Sequence, residues 1–164
     1  MLEFFKEIFS IPPMNWSGLF SALLSGGIIG FERQVLGKPV GMRTAMLICM
    51  GTYAFVVVSN SVSGSMTDPS RIIGQVVTGV GFLGAGVILT KDGIVVGVTS
   101  ASAIWTLAAI GVIIGSGYNL TGIKISFLTV VILVGVDVVE HMFGGMRKGV
   151  YKKKYRIFKK FSGD

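Results

Sequence analysis

Five long apolar blocks separated by short polar breaks run along the chain, at roughly residues 14–31, 44–62, 72–90, 98–117 and 120–139. Each is close to the about 17–25 residues that cross a hydrocarbon layer as a helix. None carries the continuous charged face of a soluble amphipathic helix. Strands of a buried parallel sheet also read as apolar runs, but of only about 4–8 residues. The pattern therefore predicts an all-α, polytopic membrane helix bundle of about five transmembrane helices, over residues 14–140.

Both ends differ from this middle. In residues 1–13, Leu2, Phe4, Phe5, Ile8 and Phe9 group on one side of a helical wheel, with Glu3, Lys6 and Glu7 opposite. That predicts a short segment lying in the membrane interface, stopped at Pro12-Pro13; a frayed terminus is the plainer reading. A basic n-region and an apolar h-region are both missing, so it does not read as a signal peptide. In residues 141–164, Val150, Tyr151, Tyr155, Ile157, Phe158 and Phe161 fall on one face and Lys152, Lys153, Arg156, Lys159 and Lys160 on the other. This is the pattern of a helix resting on an anionic leaflet; a solvated tail that only fixes topology is the plainer reading.

Composition narrows the class. Of 164 residues, 51% are hydrophobic and 14% charged, against about 25% charged in soluble domains. A disordered chain needs low hydrophobicity, and a single Cys excludes a disulfide framework. The net charge of +7 does not point to nucleic acid, because eight of the 15 Lys and Arg lie from Arg147 to Lys160, beyond the last apolar block. With five spans and the N-terminus outside, 12 of the 15 fall on the cytosolic side, and Lys6, Arg71 and Lys124 fall outside. That asymmetry fits the positive-inside rule and puts the C-terminus in the cytosol. Trp16 and Tyr118 then sit at the outer rim.

Small residues pattern the helix faces: Gly26 and Gly30 in the first block, Gly111 and Gly115 in the fourth, and Gly74, Thr78, Gly81 and Ala85 in the third. Lipid offers no hydrophobic drive for helix association, so close backbone approach at such positions holds helices together. The faces predict either packing within one bundle or a homo-oligomer contact. Gly79 to Gly84 match G-x-G-x-x-G, but that fingerprint needs a preceding strand in a βαβ unit, and here it lies within a span.

Charges in or beside spans are costly and are functional candidates. Glu32 and Arg33 close the first block; Arg43 and Thr44 open the second, where Thr44 is placed to cap the helix. Glu32 and Arg43 would meet at the cytosolic rim, or simply snorkel there. Arg71, Gln75, Thr78 and Phe82 share a face of the third helix. Asp137, Glu140 and His141 end the fifth and are a weak candidate set for a cation. Cys49 and Trp105 read as packing residues. No catalytic set is found: the single His lies past the fifth block, and no Ser or Cys has a base nearby in sequence. Neither an enzyme nor a cofactor is expected.

The stretches Gly30-Phe31-Glu32-Arg33, Gly41-Met42-Arg43-Thr44, Asp68-Pro69-Ser70-Arg71-Ile72, Gly79 to Gly86, and Thr99 to Trp105, in that order, closely resemble the MgtC/SapB family of bacterial membrane proteins. The resemblance covers roughly residues 16–137. It implies a bacterial cytoplasmic (inner) membrane domain of about five helices. It also implies links to virulence, survival in macrophages and growth at low Mg²⁺, through regulation rather than Mg²⁺ transport, with the F-type ATP synthase as a reported partner of one member. By motif, Glu32, Arg33, Arg43, Thr44, Arg71, Gln75 and Trp105 are the signature positions here. Many members carry an ACT-like cytosolic domain after the last span; the two dozen residues after Glu140 are too few for one. The expected function is a non-enzymatic regulator that binds a membrane partner through the charged rim of Glu32, Arg33 and Arg43. The alternative is an ion transporter or channel with a polar path near Arg71, Gln75 and Thr78.

Overall fold

A computed structural model describes residues 1, 7, 9–62, 68–91 and 94–142, without the side chains of residues 69, 91, 140 and 141. Residues 2–6 and 8 of the interfacial segment expected at 1–13, and nearly all of the basic tail expected at 141–164, lie outside the described residues. Five helices are described: α1 (Trp16–Val35), α2 (Met42–Val62), α3 (Pro69–Ala85), α4 (Val98–Gly115) and α5 (Asn119–Met142). The all-α architecture predicted from the blocks is what the chain adopts. By length and composition, α2, α4 and residues 119–139 of α5 are long and apolar enough to cross a bilayer. Helix α3 has 17 residues, about 25 Å of rise, and α1 ends in Glu32 and Arg33.

The third block departs from expectation. Its helix stops at Ala85 instead of running to Thr90, and an antiparallel hairpin follows, β1 (Leu89–Lys91) with β2 (Ile94–Val96), Leu89 facing Val96. The reason is local. Gly84 and Gly86 weaken the helix end, and Ile88, Thr90, Ile94, Val95 and Val96 are β-branched residues that favour strands. The Asp92-Gly93 dipeptide between the two runs is a hairpin signal in sequence. Helix α4 then follows its N-cap Gly97, whose φ of +93° and closeness to the Val87 carbonyl leave no room for a Cβ.

Side-chain oxygens fix two helix starts. Asn15 accepts from the Gly18 amide at 2.7 Å to cap α1, and Asp68 accepts from the Ser70 amide at 2.9 Å to cap α3. Helix α2 begins at Met42, two residues before the expected cap Thr44, and the Gln34 side-chain carbonyl accepts from the Met42 amide at 3.2 Å. The preceding loop holds Val40 at φ +69°, a position where a β-branched residue is strained.

The chain divides into two units, Met1–Thr129 and Val130–Asp164. In the first, α1, α2 and α4 enclose a core of Ala22, Ile29, Ala45, Cys49, Tyr53, Leu107, Ile110 and Ile114. Helices α1 and α2 run antiparallel: Gly30 lies on Met42 at one end and Gly18 on the Tyr53 ring at the other. Helix α4 runs parallel to α2, with Gly111 against Cys49 and Thr52, and Gly115 against Val56. The end of α3 meets the start of α4 at Ala101, and the start of α5 meets the end of α4, with Gly122 on Ile114. Within the second unit, the described residues continue α5 with Val131, Ile132, Val134, Val136, Val138 and Val139 exposed.

Candidate functional site

The end of α1 carries two charges, and both are buried: Glu32 is 8% exposed and Arg33 3%. Their side chains form an ion pair, Arg33 Nη1 to Glu32 Oε2 at 3.7 Å. Arg33 Nη2 also donates to Ser100 Oγ at 3.2 Å, 67 residues away in sequence. Ser100, itself buried, stands in the first turn of α4. Free N–H groups give that turn a partial positive charge. The guanidinium adds to the positive field, and the Glu32 carboxylate offsets it. A charge this deep is tolerated in proteins only when paired and hydrogen-bonded, so the triplet locks the end of α1 to the start of α4.

The rest of the expected rim is separate from this pair. Arg43, Thr44 and Lys38 are exposed, on the first turn of α2 and in the loop before it. The structure thus brings Glu32 together with its neighbour Arg33, and leaves Arg43 on the surface of the same end.

Both glycine pairs of α1 and α4 are spent inside the chain. A Cβ on Gly26 would lie 2.7 Å from the Ala45 carbonyl oxygen, and one on Gly30 would lie 2.6 Å from Met42 Cα. On Gly111 and Gly115 it would lie 2.7 Å from Thr52 Cβ and Val56 Cβ. Gly74 and Gly81 of α3 differ: a Cβ there meets nothing within 4 Å. Arg71, Gln75 and Thr78 share that open side and are all exposed. At the start of α3, hydrogen bonds from Ser70 and then the nearby Arg71 charge hold the exposed Asp68 carboxyl below the usual carboxylate range.

Trp105 points out of α4 and is 55% exposed, so it does not pack in the core. Cys49 does, with its thiol donating to the Leu107 carbonyl at 3.2 Å. Asp137 is exposed, while the side chains of Glu140 and His141 lie outside the described set. Among the described residues, no group of three or more His, Cys, Asp or Glu comes together to hold a metal.

Sequence reasoning missed two contacts. The Tyr53 hydroxyl donates to the Asn15 carbonyl and accepts from the Asn15 amide, each at 3.1 Å, tying the middle of α2 to the start of α1. Ser100 lies in a quoted motif, yet nothing in its local pattern names Arg33 as its partner. A tyrosine inside an apolar block was the available signal for the first, because its hydroxyl needs a partner when buried.

Comparison with known proteins agrees with the family resemblance. A family model described as the MgtC family matches residues 19–142. The chain is 48% identical over 122 residues to a protein called putative magnesium transporter YhiD from Escherichia coli, covering 70% of this chain and 57% of that one. It is 38% identical over 143 residues to protein MgtC of Brucella abortus, covering 85% and 59%. With protein SrpB of Synechococcus elongatus the identity is 37%, over 79% of this chain and 80% of that protein. The chain thus spans somewhat over half the length of the first two. No solved structure matches. The matched region runs from the first turn of α1 to the end of α5 and includes the Glu32–Arg33–Ser100 lock: this chain belongs to the MgtC family of bacterial membrane proteins.

Proposed function

We propose that the chain is the membrane domain of a non-enzymatic regulator that serves Mg²⁺ adaptation by binding another membrane protein. In this reading it crosses the bacterial inner membrane five times, with the N-terminus outside and the lysine-rich end in the cytosol, against anionic lipid. The observation that carries the reading is how the interior is filled. Ile29, Cys49, Leu107, Ile110 and Ile114 pack the space between α1, α2 and α4, and the two buried charges at one end are of opposite sign and 3.7 Å apart. Such an interior suits a rigid docking body better than a conduit, which needs polar groups along a water-filled path. Glu32 and Arg33, being buried, hold the rim in shape, and the exposed Lys38 and Arg43 make the contact. Names among the relatives support the Mg²⁺ connection.

The test is growth under Mg²⁺ limitation in a strain lacking the gene, complemented with Lys38→Ala/Arg43→Ala. The expected result is normal membrane expression, lost growth rescue and lost co-purification of the partner, for which an F-type ATP synthase is the first candidate. Full rescue by the double variant would remove the rim from the mechanism.

A second reading is transport, favoured by the polar line Arg71–Gln75–Thr78 on α3 and by the name of the Escherichia coli relative. Purified protein in liposomes separates the two. Regulation predicts no Mg²⁺ flux, whereas flux abolished by Arg71→Ala would establish the second reading.

A further inference from the structure

Among the described residues of the first unit, helix α3 gives one side to its neighbours and leaves the opposite side uncovered. Val80 is buried, and a Cβ on Gly84 would lie 3.7 Å from Ala101 Cβ, so that side packs toward α4. Half a turn around, Arg71, Gly74, Gln75, Thr78, Gly81 and Phe82 follow at helical spacing, all exposed, with Phe82 81% so. A glutamine amide turned to lipid is costly without a hydrogen-bond partner. Thr78 has met its own need, donating to the Gly74 carbonyl at 2.9 Å.

We infer that this side of α3 seats a second copy of the chain, the two α3 helices lying side by side in the same direction across a twofold axis. A twofold contact uses one patch twice, so the patch must hold both halves of every contact, and this one does. At the helix start, Asp68 and Arg71 are both exposed, opposite in charge and three residues apart. Parallel seating therefore places each Arg71 beside the Asp68 of the second copy. One turn on, Gln75 carries both donor and acceptor and pairs with its own counterpart. Further along, the projecting Phe82 ring stands beside the bare backbone of Gly81, a knob and a hollow on one surface. Gly74, Thr78 and Gly81 let the two backbones approach closely. These residues are distinct from Lys38 and Arg43, and the contact needs no partner protein, so this inference and the proposed function stand or fall separately.

Single cysteines placed on α3 in a Cys49→Ala background, oxidised in native membranes, test it. Gly74→Cys, Thr78→Cys and Phe82→Cys should give a disulfide-linked species of twice the chain mass. Ile72→Cys and Leu83→Cys, exposed but to the side, should give little. In lipid, Gly81→Ile should weaken association by about tenfold, measured by energy transfer between labelled copies. A Cβ added at Gly81 meets nothing within 4 Å, so the variant's fold should persist, and an unchanged helical circular dichroism spectrum checks that. Asp68→Arg and Arg71→Asp should each weaken the dimer, and the double exchange should restore it. Equal cross-linking around the helix, cross-links only to a protein of another mass, or no restoration by the charge exchange would each overturn the twofold contact.

Discussion

The buried pair at Arg33 is where a single residue carries the most consequence. Removing one member of a buried ion pair leaves the other charge without compensation and costs about 3–5 kcal/mol. Removing a hydrogen-bond partner of a charged group costs about 1.5–3 kcal/mol. Arg33→Ala should therefore destabilise the detergent-solubilised protein more than Ser100→Ala, and both should lower its unfolding midpoint. Equal or negligible shifts would mean that the lock between α1 and α4 does not hold the fold together. The sequence placed Glu32 and Arg33 correctly at the end of a block, because charge interrupts hydropathy. It did not show that they are buried, because burial there depends on Ser100, which is distant in sequence. The expectation that both charges form an outward rim with Arg43 is revised for that reason: Arg43 is exposed and the other two are not.

At the scale of helices, a small-residue stripe marks where backbones are able to approach, without saying which helix arrives. Three stripes look alike in sequence. Among the described residues, those of α1 and α4 are filled by α2, and that of α3 is open. The two kinds give opposite responses to the same change. Gly30→Val drives new atoms into Met42 Cα and Ala45 Cβ, and overpacking of this sort costs about 1–3 kcal/mol or more. Gly74→Val meets nothing within 4 Å, so in a detergent that keeps the chain monomeric its melting temperature should stay near that of the parent. A comparable loss in both variants would show that the open face is covered within the monomer. The element count and most helix bounds were legible because a span needs a long apolar run. The hairpin was not: its strands are three residues each, and β-branched apolar residues serve a span and a strand equally well by hydropathy. Glycines beside the run, and the Asp-Gly step inside it, were the only local signs.

For the whole molecule, the order of helices bears on the proposed five-span threading through a bilayer. Within residues 1–129, α1 runs against α2, α4 runs with α2, and the end of α3 meets the start of α4. Successive helices therefore alternate in direction, as serial crossings do. That alternation puts the loop bearing Lys38, the hairpin and the Arg33 lock at one end, and the Ser116–Gly117 turn at the other. Positive charge then decides which end faces the cytosol, because Lys and Arg resist translocation. Lys38, Arg43 and Lys91 lie toward the first end in sequence, and eight more Lys and Arg follow α5. Alkaline phosphatase should consequently be active when fused after Gly117 and inactive after Lys38 or Asp164, and green fluorescent protein should show the reverse. Matching signals at Lys38 and Gly117 would break the alternation itself. A complete inversion would keep the bundle but move Lys38 and Arg43 to the outer surface, where a cytosolic docking role for them fails.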